Sequence, residues 1–234
     1  RAKNSFFLNV ENEIRHPLDT IVQANLRLNG GSTDNLSSEE RAKLLTELRT
    51  DSKFLTEMVN NVLDISKMES GTYRLELDTI NVSDMCSTLI EEFKSKTASG
   101  VELRYEPQKD ENGKEMNIEL CTDVARLRFS LQYYLDNACK NTLDGIVTLA
   151  YEMLPDKIRF SVTDTGKDIS EDNVEDISYL GRQKDDGTRF DINSHLVHLI
   201  SELLKGKAYI DTSCKSGARF VFEQSLEFEQ KSNT

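Results

Sequence analysis

The chain has 234 residues, of which 37% are hydrophobic and 30% are charged, a mix that is typical of folded domains and argues against global disorder. Its formal net charge of −12 at pH 7 argues against a surface for nucleic acid or for an anionic membrane, because such surfaces carry clusters of lysine and arginine. The sequence contains neither an apolar run long enough to cross a bilayer nor an opening signal peptide, so a cytosolic setting is predicted.

Residues 1–70 predict a hairpin of two long helices. Apolar side chains in the first predicted helix, at residues 5–28, recur every three or four positions, which is the spacing of one buried helical face. They are Phe7, Val10, Ile14, Leu18, Ile21 and Val22. Pro17 lies inside this pattern and predicts a bend in the helix. The breaker cluster at residues 29–35 predicts the turn between the two helices.

The second predicted helix begins at Ser37 or Ser38, because a serine followed by glutamates is a typical helix start. Its apolar positions are Leu44, Leu48, Leu55, Met58, Val59, Val62, Leu63 and Ile65. Gly71 is well placed to end it. Two helices alone bury a thin core, so the sequence favours a homodimer in which two hairpins form a four-helix bundle. The alternative is a hairpin that packs on the rest of its own chain.

After residue 70 the pattern changes to that of a domain with strands. The predicted strands are residues 73–77, 101–105, 116–121, 146–153, 157–164, 207–212 and 218–224. The predicted helices are residues 83–96, with Ser83 as the cap, 123–142 and 192–204. The charged residues 109–114 predict a hairpin loop, and residues 165–191 predict an irregular stretch. This order predicts an α+β sandwich with helices on one face of a mixed sheet.

The four cysteines are far apart in the sequence. They are Cys86, Cys121, Cys139 and Cys214. No two of them form a C-x-x-C pair, and no histidine follows at zinc-finger spacing. We therefore expect reduced, mostly buried thiols rather than a metal site or a disulfide framework.

Residues 6–18 (F-F-L-N-V-E-N-E-I-R-H-P-L) resemble the phosphoacceptor box of sensor histidine kinases, F-L-x-x-x-S-H-E-I-R-T-P-L. Asn12 stands where that family has its phosphate-accepting histidine. An amide nitrogen is not nucleophilic near neutral pH, so autophosphorylation at this position is chemically excluded.

Two neighbours of Asn12 have roles that the resemblance implies. Glu13 matches the acidic residue that draws a proton from the attacking imidazole, and without that imidazole it is an ordinary solvated carboxylate. His16 lies one helical turn after Asn12 and is the alternative phosphoacceptor. A displacement of roughly 5–6 Å, however, moves it away from the expected line of attack.

Residues 131–142 (L-Q-Y-Y-L-D-N-A-C-K-N-T) resemble the family's second box, N-L-x-x-N-A-x-K-F-T. The resemblance implies ATP and Mg²⁺ as ligands. Asn137 matches the asparagine whose side-chain oxygen holds Mg²⁺, and Lys140 matches the lysine near the phosphates. The same segment also has the pattern of an amphipathic core helix. That simpler interpretation does not explain the N-A-x-K tetrad.

Residues 162–169 (V-T-D-T-G-K-D-I) resemble the family's first glycine box, V-x-D-T-G-x-G-I. Asp164 matches the carboxylate that accepts a hydrogen bond from the adenine amino group, and Gly166 is kept. Asp168 replaces the second glycine, which adds a side chain and a negative charge where the family's backbone turns tightly.

Residues 187–192 (G-T-R-F-D-I) occupy the place of the family's lid box, G-T-G-L-G-L. Only Gly187 and Thr188 match it, and Arg189 and Asp191 stand where the family has glycines. Because those glycines let the lid close over the triphosphate, their loss predicts weak or absent ATP binding.

Together the boxes predict a histidine-kinase-like core. It would consist of a dimerisation and phosphoacceptor-like hairpin at residues 1–70 and an ATP-binding-type domain at residues 71–234. We interpret it as a cytoplasmic signalling core that does not autophosphorylate at the usual site and acts through protein contacts. The alternative is an active histidine kinase of a phosphorelay that uses His16 or a histidine of a partner protomer. A chaperone or gyrase of the wider fold is disfavoured by the acceptor-type helix.

The expected partners follow from the same resemblance. They are a second copy of the chain through the hairpin and a response regulator or a partner kinase, with no nucleic acid. Because the sequence begins inside the first predicted helix, we expect a fragment of a larger receptor that is attached to a membrane only through upstream segments.

Overall fold

The computed structural model describes residues 2–29, 36–166, 191–211, 213–214 and 216–228, with the backbone alone at residues 2–9 and 12. Gly187, Thr188, Asp168 and most of the predicted irregular stretch lie outside these ranges. The described residues form two compact units, and the main division falls between Gly71 and Thr72. In this part of the chain, no helix combines the length and the apolar character that a membrane span requires.

The first unit is a helical hairpin. Helix α1 (Ala2–Asn29) continues through Pro17, and helix α2 (Ser38–Glu69) packs against it. The start of α2 is a capping box, because Ser37 Oγ accepts from the Glu40 N–H and the Glu40 carboxylate accepts from the Ser37 N–H. Gly71 follows the end of α2 with φ +68°, a left-handed conformation that favours glycine.

The second unit contains two sheets and three described helices. In chain order its elements are β1 (Leu77–Asn81), α3 (Val82–Lys94), β2 (Val101–Glu106), β3 (Glu119–Asp123), α4 (Val124–Asn141), β4 (Gly145–Met153), β5 (Lys157–Asp164), α5 (Ile192–Leu203), β6 (Lys207–Ile210) and β7 (Arg219–Ser225). Strands β1 and β3 form a small antiparallel sheet. The larger sheet has the order β2-β4-β5-β7-β6, in which β2 and β4 are parallel and the other pairs antiparallel. A helical hairpin followed by an α+β sandwich is thus confirmed.

The core of the second unit lies between the larger sheet and its helices. Helix α4 contacts β4, β5 and β7, and α3 contacts β2. Tyr134 on α4 is 1% exposed and stacks on Phe220 with ring centroids 5.3 Å apart. Its hydroxyl donates to the Val221 carbonyl at 3.3 Å. An aromatic side chain whose polar end is satisfied can be buried fully, and this contact fixes α4 on the sheet.

The strand predicted at residues 73–77 is wrong, because the chain is irregular up to Glu76 and β1 begins after it. This segment is fixed by contacts with side chains and not by backbone hydrogen bonds to a neighbouring strand. The Glu76 N–H donates to Asp123 Oδ2 at 3.1 Å. Arg126 Nε donates to the Tyr73 hydroxyl at 2.5 Å, and the guanidinium lies over the Tyr73 ring.

One further sequence prediction, the cap of α3, is corrected. Asn81, not Ser83, caps α3, because the Asn81 side chain accepts from the Asp84 N–H at 3.0 Å. Ser83 instead accepts from the Tyr105 hydroxyl at 2.9 Å. Residues 109–114 form a turn that is closed by an antiparallel bridge between Lys109 and Glu115, as expected of a hairpin loop, but β2 and β3 do not pair with each other. The strands on either side belong to different sheets, because β3 pairs with β1 and leaves β2 to pair with β4.

All four cysteines are unpaired, as expected for reduced thiols. Cys86 is fully buried, and burial raises the pKa of its thiol to about 12. The other three are only half-buried, so the expectation of mostly buried thiols is wrong.

A buried carboxylate binds two cations on the larger sheet. Glu223 is 3% exposed and accepts from Lys157 Nζ at 2.7 Å and from Arg159 Nε at 2.9 Å. The Tyr209 hydroxyl also donates to Glu223, at 3.2 Å. Burial alone would raise the pKa of Glu223, but the hydrogen bonds from Lys157 and Arg159 outweigh it and hold the pKa below its usual value.

We expect Glu223→Gln to lower the free energy of unfolding near pH 7 by about 1–3 kcal/mol, because the amide keeps the shape and loses the charge-assisted bonds. Since the pKa of Glu223 is lowered on folding, its contribution is present above the unfolded-state pKa of about 4.3 and is lost as the pH falls through the folded-state pKa. Urea denaturation should therefore show a difference that shrinks towards acid pH. Glu152→Gln, which removes the exposed partner of Arg159, is the control and should cost less than about 1 kcal/mol.

Candidate functional site

Helix α4 carries two of the predicted site residues near its C-terminal end. Asp123, which is 2% exposed, caps the start of the helix by accepting from the Arg126 N–H at 3.1 Å. In the last two turns Asn137 is half-buried and Lys140 is exposed. Both polar side chains therefore extend from a helix that is fixed on the sheet by the Tyr134 contact.

Asp164 ends β5 and is the most constrained of the predicted site residues. It is 1% exposed, and its Oδ1 accepts from the Gly166 N–H at 2.9 Å. Its Oδ2 has no hydrogen-bond partner among the described residues. Burial raises the pKa of Asp164, and hydrogen bonds from the backbone of Gly166 and Ala218 oppose this rise. One carboxylate oxygen is thus fixed and the other is left to accept from a ligand.

Two glycines allow the backbone to close around Asp164. Gly217 has φ +73°, and a Cβ there would lie 2.0 Å from the Asp164 carbonyl oxygen. A Cβ at Gly166 would lie 2.4 Å from the Asn141 carbonyl oxygen. Both distances are far below van der Waals contact, so the ends of α4 and β5 and the turn before β7 can meet only at glycines.

Thr142 is a polar residue of this site that sequence reasoning passed over. It is fully buried, its N–H donates to the Ala138 carbonyl at 3.1 Å, and its Oγ1 has no partner within the described part of the chain. A Cβ at Gly166 would lie 2.9 Å from Thr142 Oγ1, so the two residues touch. The available signal was the final threonine of the N-A-x-K-F-T pattern.

These residues fit a nucleotide with its metal ion. Asp164 Oδ2, a buried acceptor, suits an exocyclic amino group of a base. Asn137 would supply one oxygen to Mg²⁺, and Lys140 would lie near phosphate. The described residues contain no cluster of three or more acidic, histidine or cysteine ligands.

The predicted site residues of the phosphoacceptor-like box lie in the first unit. Asn12 is in α1, where only its backbone is described. Glu13 is half-buried. His16 is exposed, and the Thr20 hydroxyl donates to its carbonyl at 3.1 Å. Helical geometry places His16 about 6 Å along the axis from Asn12.

Comparison with known proteins relates the second unit to one family. Residues 122–228, from the end of β3 through β7, match the histidine kinase-, DNA gyrase B- and HSP90-like ATPases. Similar curated proteins include two-component system protein A of Emericella nidulans, 29% identical over 71% of this chain and 24% of that protein. The autoinducer 2 sensor kinase/phosphatase LuxQ of Vibrio parahaemolyticus is 28% identical over 76% of this chain and 20% of that protein. The chain therefore spans about a quarter of the length of these relatives.

Solved histidine kinases share the fold of the chain. ThkA in complex with the response regulator TrrA has a TM-score of 0.65 and 19% identity, covering 95% of this chain and 61% of that chain. Full-length ShkA with AMPPNP has a TM-score of 0.63 and 22% identity, covering 96% and 46%. AdeS of Acinetobacter baumannii has a TM-score of 0.64 and 17% identity, covering 92% and 98%. At these identities the likeness establishes the fold alone.

Substitution of Gly217 and of Gly113 by alanine tests whether the backbone at Gly217 approaches the Asp164 carbonyl too closely for a Cβ. Both have positive φ, +73° and +77°, but a Cβ at Gly113 would meet nothing within 4 Å. We expect Gly113→Ala to cost only the left-handed penalty of about 1–2 kcal/mol. Gly217→Ala should cost at least about 2 kcal/mol more, because the methyl group would overlap the Asp164 carbonyl. Equal losses in urea denaturation would contradict this account of the site.

Proposed function

Since the chain is a sensor histidine kinase core by sequence and fold, we propose that it is a signalling core that cannot autophosphorylate at the usual position and acts through protein contacts and conformational relay. The observation that carries the proposal is Asn12 in place of the acceptor histidine. A carboxamide nitrogen has its lone pair delocalised into the carbonyl, so it neither attacks a phosphoryl group nor exchanges a proton near pH 7. Glu13 then has no imidazole to activate.

We further propose that the second unit binds ATP with Mg²⁺, and does so weakly. The retained Asp164 and Asn137 support binding, and so does the buried oxygen of Asp164 that lacks a partner in the described structure. The substitutions Asp168, Arg189 and Asp191 at glycine positions of the family support low affinity. Losing preorganised contacts to a polyphosphate costs several kcal/mol, enough to move a micromolar site beyond millimolar ligand.

The same retained residues favour one alternative, an active histidine kinase that phosphorylates in trans. In a mixed dimer this chain would need only its nucleotide site, and the partner protomer would supply the histidine. A second form of this alternative uses His16, which is exposed on α1. His16 keeps the imidazole chemistry, but it lies one turn from the position that Glu13 flanks.

We propose the hairpin as the surface for a second copy of the chain. Large apolar side chains on both helices remain exposed: Leu18, Val22, Leu26, Leu45, Val59 and Leu63. Leu18, Val22 and Leu26 recur every four residues along α1, and the same four-residue spacing separates Val59 from Leu63 on α2. Exposed apolar stripes of this kind are buried when two hairpins form a four-helix bundle.

We also propose a response regulator as a partner of the full protein. ThkA is described in complex with the response regulator TrrA, and this chain shares the fold of ThkA over 95% of its length. A regulator could dock without receiving phosphate, because docking depends on surface complementarity and transfer depends on the imidazole.

Incubation with labelled ATP and Mg²⁺ tests the acceptor position. We expect no acid-labile phosphate on the wild type and slow labelling of Asn12→His, because the variant restores the nucleophile beside Glu13. Asn12→Gln is the matched control and should stay unlabelled. Acid-labile phosphate on the wild type would sink the proposal, and its loss in His16→Ala would assign it to the displaced histidine.

Transfer in trans is measured in a mixture of two variants. Wild type supplies an intact nucleotide site, and the double variant Asn12→His with Asp164→Asn supplies only an acceptor. Label that reaches the double variant solely in the mixture would show that the wild-type nucleotide site acts in trans and would favour the mixed-dimer alternative. We expect none above the level of the double variant alone.

The proposed dimer is tested by placing a charge on the exposed stripe. Leu63→Glu should convert the dimer to a monomer in light scattering, because it would bury a carboxylate in the bundle. Thr50→Glu is the control: it adds the same charge to an exposed position of α2, about 140° around the helix from Leu63. A wild type that is monomeric at high micromolar concentration, or a control that dissociates equally, would contradict the proposed surface.

A further inference from the structure

Thr142 contributes a buried hydroxyl group that no role above uses. The residue is fully buried, and its Oγ1 has no hydrogen-bond partner within the described ranges. Leaving a buried hydroxyl unpaired destabilises a protein, and the large majority of buried polar side-chain atoms in proteins are paired. The helix cap at this position depends on the Thr142 N–H, which bonds to Ala138, and does not involve the hydroxyl.

The hydroxyl of Thr142 and the carboxylate of Asp164 adjoin the same glycine. The Gly166 N–H donates to Asp164 Oδ1 at 2.9 Å, and a Cβ on Gly166 would lie 2.9 Å from Thr142 Oγ1. Asp164 Oδ2 and Thr142 Oγ1 are both buried, and neither has a partner in the described structure. Two residues with unsatisfied polar groups of complementary capacity therefore both contact Gly166.

We infer that Thr142 is a second base-binding residue of the nucleotide site and acts with Asp164 to select a 6-aminopurine. The inference rests on the proposed nucleotide binding. A carboxylate can only accept a hydrogen bond, whereas a hydroxyl can donate one. The edge of a 6-aminopurine presents a donor, the amino group, beside an acceptor, the ring nitrogen N1. Asp164 would accept from the first and Thr142 would donate to the second.

A 6-oxopurine fits the same pair less well. It presents a carbonyl oxygen where the amino group stood, and this acceptor would face the Asp164 carboxylate, which has no proton to offer when ionised. Leaving two acceptors opposed in a buried site is costly. The two residues thus have separable effects, since Asp164 discriminates the bases and Thr142 adds affinity for the preferred one.

Calorimetric titration with ADP and with IDP, whose base is a 6-oxopurine, tests the inference on three proteins: wild type, Thr142→Val and Thr142→Ser. Valine keeps the shape without the hydroxyl, and serine keeps the hydroxyl. We expect the wild type to prefer ADP, valine to weaken ADP binding about tenfold, and serine to stay within about threefold of wild type. The diphosphates carry no γ-phosphate, which reduces the dependence on the altered lid.

The melting temperatures of the ligand-free proteins distinguish base binding from a structural role. Because the wild-type hydroxyl is unpaired, Thr142→Val should melt at the same temperature or a higher one. A melting temperature that falls in the valine variant and recovers in the serine variant would assign the hydroxyl to the fold and overturn the inference. Equal ADP affinity in wild type and Thr142→Val would overturn it as well.

The wild-type titrations separate this inference from the proposed function. Equal affinity for ADP and IDP would overturn base selection and leave nucleotide binding intact. No saturable binding of ADP would overturn both the inference and the nucleotide part of the proposed function. The conclusion about Asn12 would stand in that case, because phosphate labelling tests it independently.

Discussion

The close approach of three backbone segments around Asp164 is the constraint on which the polar site of the second unit depends. The end of α4, the end of β5 and the turn before β7 meet there, and the contacts at Gly166 and Gly217 leave no room for a Cβ. This packing removes the Asp164 carboxylate from water and orients it through hydrogen bonds from the backbone of Gly166 and Ala218. A buried, oriented acceptor is costly to the fold and useful to a ligand, because it needs no reorganisation when a donor arrives.

Helix α4 connects that site to the rest of the domain. At its start, the two oxygens of Asp123 bond to different segments, Oδ1 to the Arg126 N–H of the helix and Oδ2 to the Glu76 N–H of the chain that enters the domain. At its end are Asn137, Lys140 and Thr142. The Tyr134 contact fixes the middle of the helix on β7. One rigid helix thus joins the segment that follows the hairpin to the residues proposed to bind the nucleotide.

The two units contribute differently to the proposed function. The second unit matches the histidine kinase-, DNA gyrase B- and HSP90-like ATPases over residues 122–228, and its glycines lie at the points of closest approach. The first unit is a capped, two-helix hairpin with an exposed apolar stripe, and Asn12 places an amide where the resemblance assigns the phosphate acceptor. Shape and chemistry are separable here, because helix packing depends on apolar surface and phosphoryl acceptance depends on one nucleophilic nitrogen. The assembly proposed for the hairpin therefore does not require a phosphate acceptor.

The sequence by itself determined the elements whose signals are local. The periodic apolar face of α2, its start at Ser37 or Ser38 and the order of helices and strands after Gly71 could be predicted, because 3.6-residue and two-residue periods and capping residues act over a few positions. It also determined the absence of an imidazole at Asn12. Only the tertiary structure decided that β2 pairs with β4 instead of β3, that side chains hold the segment before β1, and that Thr142 lies against Gly166 beside Asp164. These are contacts between segments far apart in the chain, and no local periodicity encodes which distant backbone will satisfy a given donor or acceptor.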